Sequence, residues 1–263
     1  MCGTRKETLK KQRLHAVENH DIHTGDAGEM DCLVITYTFT MARGDRASFR
    51  LEIDPVSIEL RPQGGGPFPE WTRLTFKRCR VCTLTPSAHP FCPIAVRLVP
   101  IVDRFKDVRS YEEVSLEVET AERTTLKVTS AQKALSSLMG LLCAVSGCPA
   151  TRFLRPMARF HLPLATQEET VYRAVSTYLL SRYFMVNNST SNALAMNVSL
   201  DPLVRKYKAL EEVNTGMSER IRSGARLDAA VNAMVILDSF AKALPFAVED
   251  SLERLRPLFS TTP

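Results

Sequence analysis

Apolar residues alternate with period two in the first half of this chain and cease to do so in the second. That switch constrains the fold more than any other feature. Ile35, Tyr37, Phe39 and Met41 alternate with Thr36, Thr38 and Thr40, the mixture of β-branched and aromatic side chains that suits a half-buried strand. Gly44-Asp45 supplies turn chemistry. Phe49, Leu51 and Ile53 then alternate with Ser48, Arg50, Glu52 and Asp54, which predicts an antiparallel hairpin. The Arg43-Gly44-Asp45 tripeptide spells a cell-adhesion motif, but its position marks it as the turn. Val56, Ile58 and Leu60 predict a short strand after Pro55, and residues 71–77 predict another through Leu74 and Phe76. Val114, Leu116 and Val118, followed by Leu126 and Val128, predict a second hairpin around residues 120–123.

Helical spacing enters in two places before residue 148. Ile94, Leu98, Ile101, Val102 and Phe105 follow it, with Pro93 at a first helical position. Pro100 lies inside that run, where proline removes a hydrogen bond at a cost of about 3 kcal/mol, so a kink or restart is expected. Thr129 or Ser130 caps a helix with Leu135, Leu138, Met139 and Leu142 on its buried side, ended by Gly147. Beyond Cys148 only helical signals persist. Thr166 to Glu169 matches a capping box opening a helix along Val171, Val175, Tyr178 and Leu179. Asp201-Pro202 starts another, which Gly216 can end. Leu227, Val231, Met234, Leu237 and Leu244 mark a third, stopped at Pro245, and Val248, Leu252 and Leu255 a short last one near Pro257. The expectation is therefore an α+β fold, an antiparallel sheet with two helices followed by an all-α helical bundle. Its parts are a tail over 1–30, a sheet domain over 31–147 and a helical domain over 148–263, with 187–200 as the best internal linker. Sequons at Asn187, Asn188 and Asn197 mean little without secretion.

Composition narrows the function classes. With 44% apolar residues in 263, disorder is excluded, and 11 glycines and 15 prolines exclude collagen-like sequence. No stretch approaches about 18 uninterrupted apolar residues, and the charged segment 1–13 leads into no apolar core of a signal peptide. A soluble, cytoplasmic protein is expected, whose seven cysteines are reduced thiols or metal ligands. The tail carries His15, His20 and His23 at irregular spacing, which reads as solvated surface. The net charge of +5 is modest. Eight basic residues against two acidic ones between Arg73 and Arg109, followed by Glu112, Glu113, Glu117, Glu119 and Glu122, suggest pairing between neighbouring elements rather than a nucleic-acid stripe. Gly64 to Gly66 lack the Gly-Lys-Ser/Thr that completes a phosphate loop.

The chemistry concentrates in one run. Cys79-Arg-Val-Cys82 followed by His89-Pro-Phe-Cys92 gives C-x2-C-x6-H-x2-C. A C-x2-C turn sets two thiolates on one side of a knuckle, near the reach of Zn–S bonds of about 2.3 Å, and His89 with Cys92 can complete a tetrahedron. Arg78 and Arg80 would favour the thiolates. A second reading draws in Cys148. Both Cys92 and Cys148 precede proline, as the last ligand does in some iron–sulfur runs, so Cys79, Cys82, Cys92 and Cys148 could hold a cluster. A third leaves these cysteines reduced and metal-free. Cys143 reads as a small core residue, and Cys2 and Cys32 have no partner pattern.

Acid–base candidates are sparse. His161, between Phe160 and Leu162, could serve as a ligand or base but reads more simply as a packed residue. Glu168 and Glu169 suit a first helical turn for dipole reasons alone. Cys148 follows a helix C-terminus, which disfavours its thiolate. Arg152, Arg155 and Arg159 could form an anion-binding face, with a paired face as the simpler reading. No serine-hydrolase, zinc-protease, dinucleotide or di-iron motif is present.

The run His89-Pro-Phe-Cys92-Pro-Ile-Ala, then Ser146-Gly-Cys-Pro149, then the block 155–173 (RPMARFHLPLATQEETVYR) resembles an uncharacterised bacterial domain-of-unknown-function family over about 31–260. The resemblance implies a bacterial cytoplasmic origin and no assigned activity, and Pro100 departs from the family's smoother helix. The function expected is a non-enzymatic binding or regulatory module with a structural zinc knuckle, taking a protein partner or small ligand and neither membrane nor nucleic acid. A redox or metal sensor with an iron–sulfur cluster is the alternative, and then a thiol- or metal-dependent enzyme using Cys148, His161 or Glu169.

Overall fold

A computed structural model describes residues 32–62, 66–187 and 199–259. The tail with Cys2 and its three histidines, and most of the expected linker, lie outside the described residues. Residues 32–259 are built on a four-stranded antiparallel sheet of order β2-β1-β3-β4. The strands are β1 (Leu33–Met41), β2 (Arg46–Ile53), β3 (Glu113–Glu119) and β4 (Thr124–Ser130). Six α-helices accompany them among the described residues: α1 (Pro93–Phe105), α2 (Ala131–Val145), α3 (Arg155–Arg159), α4 (Gln167–Asn187), α5 (Asp201–Arg222) and α6 (Ala229–Leu255). The expected α+β class, a sheet first and helices after it, is what the chain adopts.

The alternation in β1 does the predicted work. Leu33, Ile35, Tyr37 and Phe39 are all buried on the inner face, and Tyr37 pairs with Phe49 and Val118 across the two neighbouring strands. Phe39 meets Phe105 of α1 edge-on at 5.0 Å between ring centroids, which seats that helix on the sheet. The turn between β1 and β2 places Gly44 at φ 88°, a conformation that needs no side chain. Helix α2 lies across β3 and β4, and α6 packs on α2. The buried apolar side chains form one continuous core from Leu33 to Val248.

Several elements depart from their local signals. Residues 56–60 form no strand beyond a single bridge from Leu60 to Ile53. Asp54 Oδ1 accepts the backbone N–H groups of Val56 and Ser57 at 3.1 and 2.6 Å, and this turn carries Ile58 into the left-handed region. Residues 71–77 form a 3-10 turn (Glu70–Thr72) and loops, with one bridge from Arg73 to Phe91. The carbonyls a strand would pair are taken by Arg220 instead, whose guanidinium donates to Trp71 O, Arg73 O and Leu74 O. Pro100 stands on the exposed side of an uninterrupted α1, where the carbonyl it frees can face water. Helix α5 runs on through Gly216, and α6 through Pro245 with Leu244 and Val248 buried on either side.

In β4 the expected phase is reversed. Leu126 and Val128 are 67% and 59% exposed, while Thr125, Lys127 and Thr129 pair with the buried Val118, Leu116 and Val114. The polar set thus occupies the inner face at this edge. The basic block between Arg73 and Arg109 also pairs differently. Arg73 meets Glu70, Arg80 meets Glu212, and Arg78, Arg97 and Arg104 donate to backbone carbonyls. Ala229–Phe246 of α6 is long and apolar enough to cross a membrane by length and composition. It is interrupted by Asn232, Asp238, Ser239 and Lys242, and its Ala229, Ala230, Ala233 and Met234 are core residues.

Gly224 tests how closely the helical part is fitted to the irregular loop. A Cβ there would lie 2.7 Å from Nε1 of the buried Trp71 indole, whereas one at Gly66 meets nothing within 4 Å. Gly224→Ala is therefore expected to destabilise the fold by about 1–3 kcal/mol through overpacking, and Gly66→Ala to leave it nearly unchanged. Urea denaturation of the two variants checks this; equal midpoints would refute the close fit.

Candidate binding pocket and thiol cluster

A polar junction organises the first candidate site. The Tyr37 side chain, wholly buried, runs from the central strand to α2 and to the loop after α3. Its hydroxyl meets Ser137 Oγ at 2.9 Å and also His161 Nε2, while Leu164 N–H donates to Ser137 Oγ at 3.1 Å. Ser137 Oγ accepts from Leu164 N–H, and the Tyr37 hydroxyl bridges Ser137 and a neutral His161. Burial holds both groups uncharged. It raises the Tyr37 phenol above its ordinary range and lowers His161 to about 3, with Arg173 adding to the latter. Leu164 adopts φ 55°, costly for a branched residue and held there by its bond to Ser137.

Beside this junction opens a cavity of about 480 Å³ between α2, the 157–166 segment, and α5 and α6. Its walls are mostly apolar, with Leu141, Leu154, Ile236, Leu237 and Phe240 among them. Polar side chains interrupt these walls, Ser136, Ser137 and Thr170 among them. Arg173 of α4 donates from Nη2 to Met157 O and Phe160 O at 2.6 and 2.8 Å, which fixes the α3 turn. The Tyr207 hydroxyl has no hydrogen-bond partner among the described residues, and Asn214 Nδ2 is buried without one. The exposed Lys127 and Lys133 stand on the rim. No Asp or Glu lines the cavity, and the charged side chains that do, Lys127, Lys133 and Arg173, are cationic.

His161 is the one expected acid–base residue that lines this cavity. Glu169 is exposed and spent on the expected capping box: it accepts Thr166 N–H at 2.7 Å and receives Thr166 Oγ1 on its own N–H at 3.2 Å. Glu168 is exposed beside it. Arg155 of the suspected anion face pairs with Glu59, and Arg159 lies over the Phe160 ring. Cys143 is buried in α2, as read, but also lines the cavity, and burial keeps its thiol protonated. The signal that could have revealed the cavity is the polar phase of Thr125, Lys127 and Thr129 opposite three buried strand residues.

The second site is the cysteine constellation. The Cys79–Cys82 turn is closed by Cys82 N–H to Cys79 O at 3.1 Å and braced by Arg78 on the carbonyls of Cys82 and Leu84. Cys92 is anchored by its N–H to Thr72 O at 2.7 Å. Cys148, after the end of α2, also precedes a 3-10 turn (Pro149–Leu154), so the amides of Ala150 and Thr151 oppose the rise that burial imposes on its thiol. Burial, with the neighbouring Cys82, Cys148 and Cys92, pushes Cys79 up to about 12. The structure thus brings Cys79, Cys82, Cys92 and Cys148 into one neighbourhood, while His89 is exposed on its loop. The six described cysteines are all free thiols.

His161 sets a pH dependence. In the unfolded chain it binds a proton near pH 6.5; in the fold it stays neutral until about 3. Stability is therefore whole above pH 6.5 and falls as the pH drops below it, by up to about 1.4 kcal/mol per pH unit, the ceiling for one proton. His161→Gln, which keeps an acceptor for Tyr37, is expected to flatten the slope of stability between pH 7 and 5 in urea titrations. Parallel slopes for the two proteins would refute it.

No curated protein and no solved structure matches the chain. The profile of one family, DUF6901, a domain of unknown function, matches residues 35–260, and the chain belongs to that family.

Proposed function

We propose that this protein is a cytoplasmic, non-enzymatic binding module whose ligand is a small molecule with an apolar body and an anionic group. The cavity carries this reading: about 480 Å³, apolar walls, cations at the rim and at Arg173, and no carboxylate. That volume suits an organic ligand of moderate size. Asn214 Nδ2, on the cavity wall beside Tyr207, is a polar group left for a ligand to pair, since buried donors without partners are costly. Catalysis is disfavoured by the state of its groups. His161 is held neutral and already hydrogen-bonded, Glu169 is used as a cap, and the Cys143 thiol is protonated. A thiol- or metal-dependent enzyme would need one of these activated. Nucleic acid is a poorer fit, because the basic side chains are spread over several ion pairs and carbonyls.

Binding of dodecanoate and of uncharged dodecanol, each competing with the fluorescent probe anilinonaphthalene sulfonate, tests the reading. Dodecanoate is expected to saturate one site per chain and to bind at least about 10-fold more tightly than the alcohol, about 1.4 kcal/mol. A Lys127→Glu, Lys133→Glu double variant should lose most of that preference while melting as the parent does, because both side chains are exposed. Unsaturable binding, or no preference for the carboxylate, would overturn the proposal.

A further inference from the structure

The thiol cluster holds groups that the pocket does not use. Cys92 and Cys148 are 6% and 8% exposed and come from the start of α1 and the turn after α2. Cys79 is pressed against α5 where Gly216 leaves room; a Cβ on that glycine would stand 3.3 Å from Cys79 Cβ. Each of the four thiols lies within electrostatic reach of at least one other, and Cys79 of all three.

Arg220 is the second, independent observation. It is only 1% exposed, and its Nη atoms donate to Trp71 O, Arg73 O and Leu74 O at 2.8, 2.7 and 3.3 Å. Its Nε is buried with no hydrogen-bond partner. The titratable groups that act on it are Cys92, Cys79 and Cys82, and no carboxylate pairs with it among the described residues. A buried guanidinium with an unspent donor and no counter-anion is expensive unless something negative completes its surroundings.

The number and chemistry of the neighbouring thiols narrow what that is. Among the described residues, no group of three or more His, Cys, Asp or Glu side chains is arranged to hold a single metal ion. A lone zinc requires every sulfur about 2.3 Å from one point. In a four-iron cluster each thiolate binds a different corner, so four cysteines serve it while standing further apart.

We propose that Cys79, Cys82, Cys92 and Cys148 bind a [4Fe–4S] cluster, with Arg220 as its buried counter-cation and Nε–H donor. Assembly consumes ferrous and ferric iron in equal amounts with inorganic sulfide, so the reducible 2+ state of the cluster forms with no net oxidation or reduction. Four Fe–S(thiolate) bonds form, and the four thiol protons leave to solvent. The cluster with its four thiolates is anionic, which supplies the negative partner Arg220 lacks, and hydrogen bonds to cluster sulfur tune its potential. The site ties the start of α1, the turn after α2 and the last turn of α5 to one inorganic core.

The test uses the full chain purified without oxygen, then incubated with equal amounts of ferrous and ferric iron and with sulfide. Expected are about four iron and four sulfide per chain, with a broad visible absorbance that bleaches on reduction by dithionite. Cys148→Ser should lose at least three-quarters of the bound iron, and His89→Ala and Cys32→Ser should retain it. Should Cys148→Ser fail to fold, the iron and sulfide content of the parent chain still decides. One zinc per chain, an absence of bound metal after reconstitution, or full iron retention in Cys148→Ser would overturn the proposal. Ligand binding by the pocket is measured separately and bears on neither outcome.

Discussion

The Tyr37 hydroxyl is the point on which the arrangement of the molecule turns. It sits at the end of a wholly buried side chain on the central strand, where an unpaired hydroxyl would cost about 1–3 kcal/mol. Its two partners come from different elements, Ser137 of α2 and His161 of the loop after α3, and Ser137 in turn receives the Leu164 amide. Satisfying one oxygen therefore sets the helix, the loop and the sheet against each other. The same geometry props open the cavity, because it holds His161 and Leu164 along one wall and leaves α5 and α6 to supply the other. Apolar packing alone would tolerate a slide of α2 along the sheet; a chain of hydrogen bonds at fixed distances does not.

Arg220 plays the corresponding part on the other side of the core. Residues 71–74 have the composition of a strand but only a single bridge, from Arg73 to Phe91, since three of their carbonyls turn to one guanidinium carried by α5. The helical part of the chain thus supplies hydrogen bonds that the sheet would otherwise provide. Glycines at 216 and 224 let α5 and the turn after it approach that loop closely enough to do so, meeting Cys79 and Trp71 respectively.

What was legible in the sequence follows from the range of the forces involved. Strands β1 and β2, the Thr166–Glu169 capping box and the left-handed Gly147 depend on neighbours within a few residues, and all are where local patterns put them. Residues 56–60 and 71–77 carry strand-like side chains but lose to a competing turn at Asp54 and to the distant Arg220. Pro100, Gly216 and Pro245 are local stop signals overridden by burial on both sides of them, where about 3 kcal/mol against a proline is outweighed by the packing of a long helix. The reversed phase of β4 has the same origin: an edge strand beside a cavity turns its polar side inward because the inner face there is not core.

The two candidate sites differ in legibility for a related reason. The cysteines announce themselves by spacing, and even the inclusion of Cys148 could be drawn from its Cys-Pro pair. The cavity has no motif, because its walls come from five separate segments whose only shared property is to leave space between them. Yet the two are neighbours across the last turns of α2. Cys143 lines the cavity and also interacts with Cys148 and Cys92, and its carbonyl accepts the hydroxyls of both Ser146 and Thr151, at 2.9 and 2.7 Å. That double acceptance fixes the end of α2 to the segment bearing Cys148. A shift of this turn would deform the cavity wall and the thiol cluster together, so the end of α2 is the one element whose position both sites require.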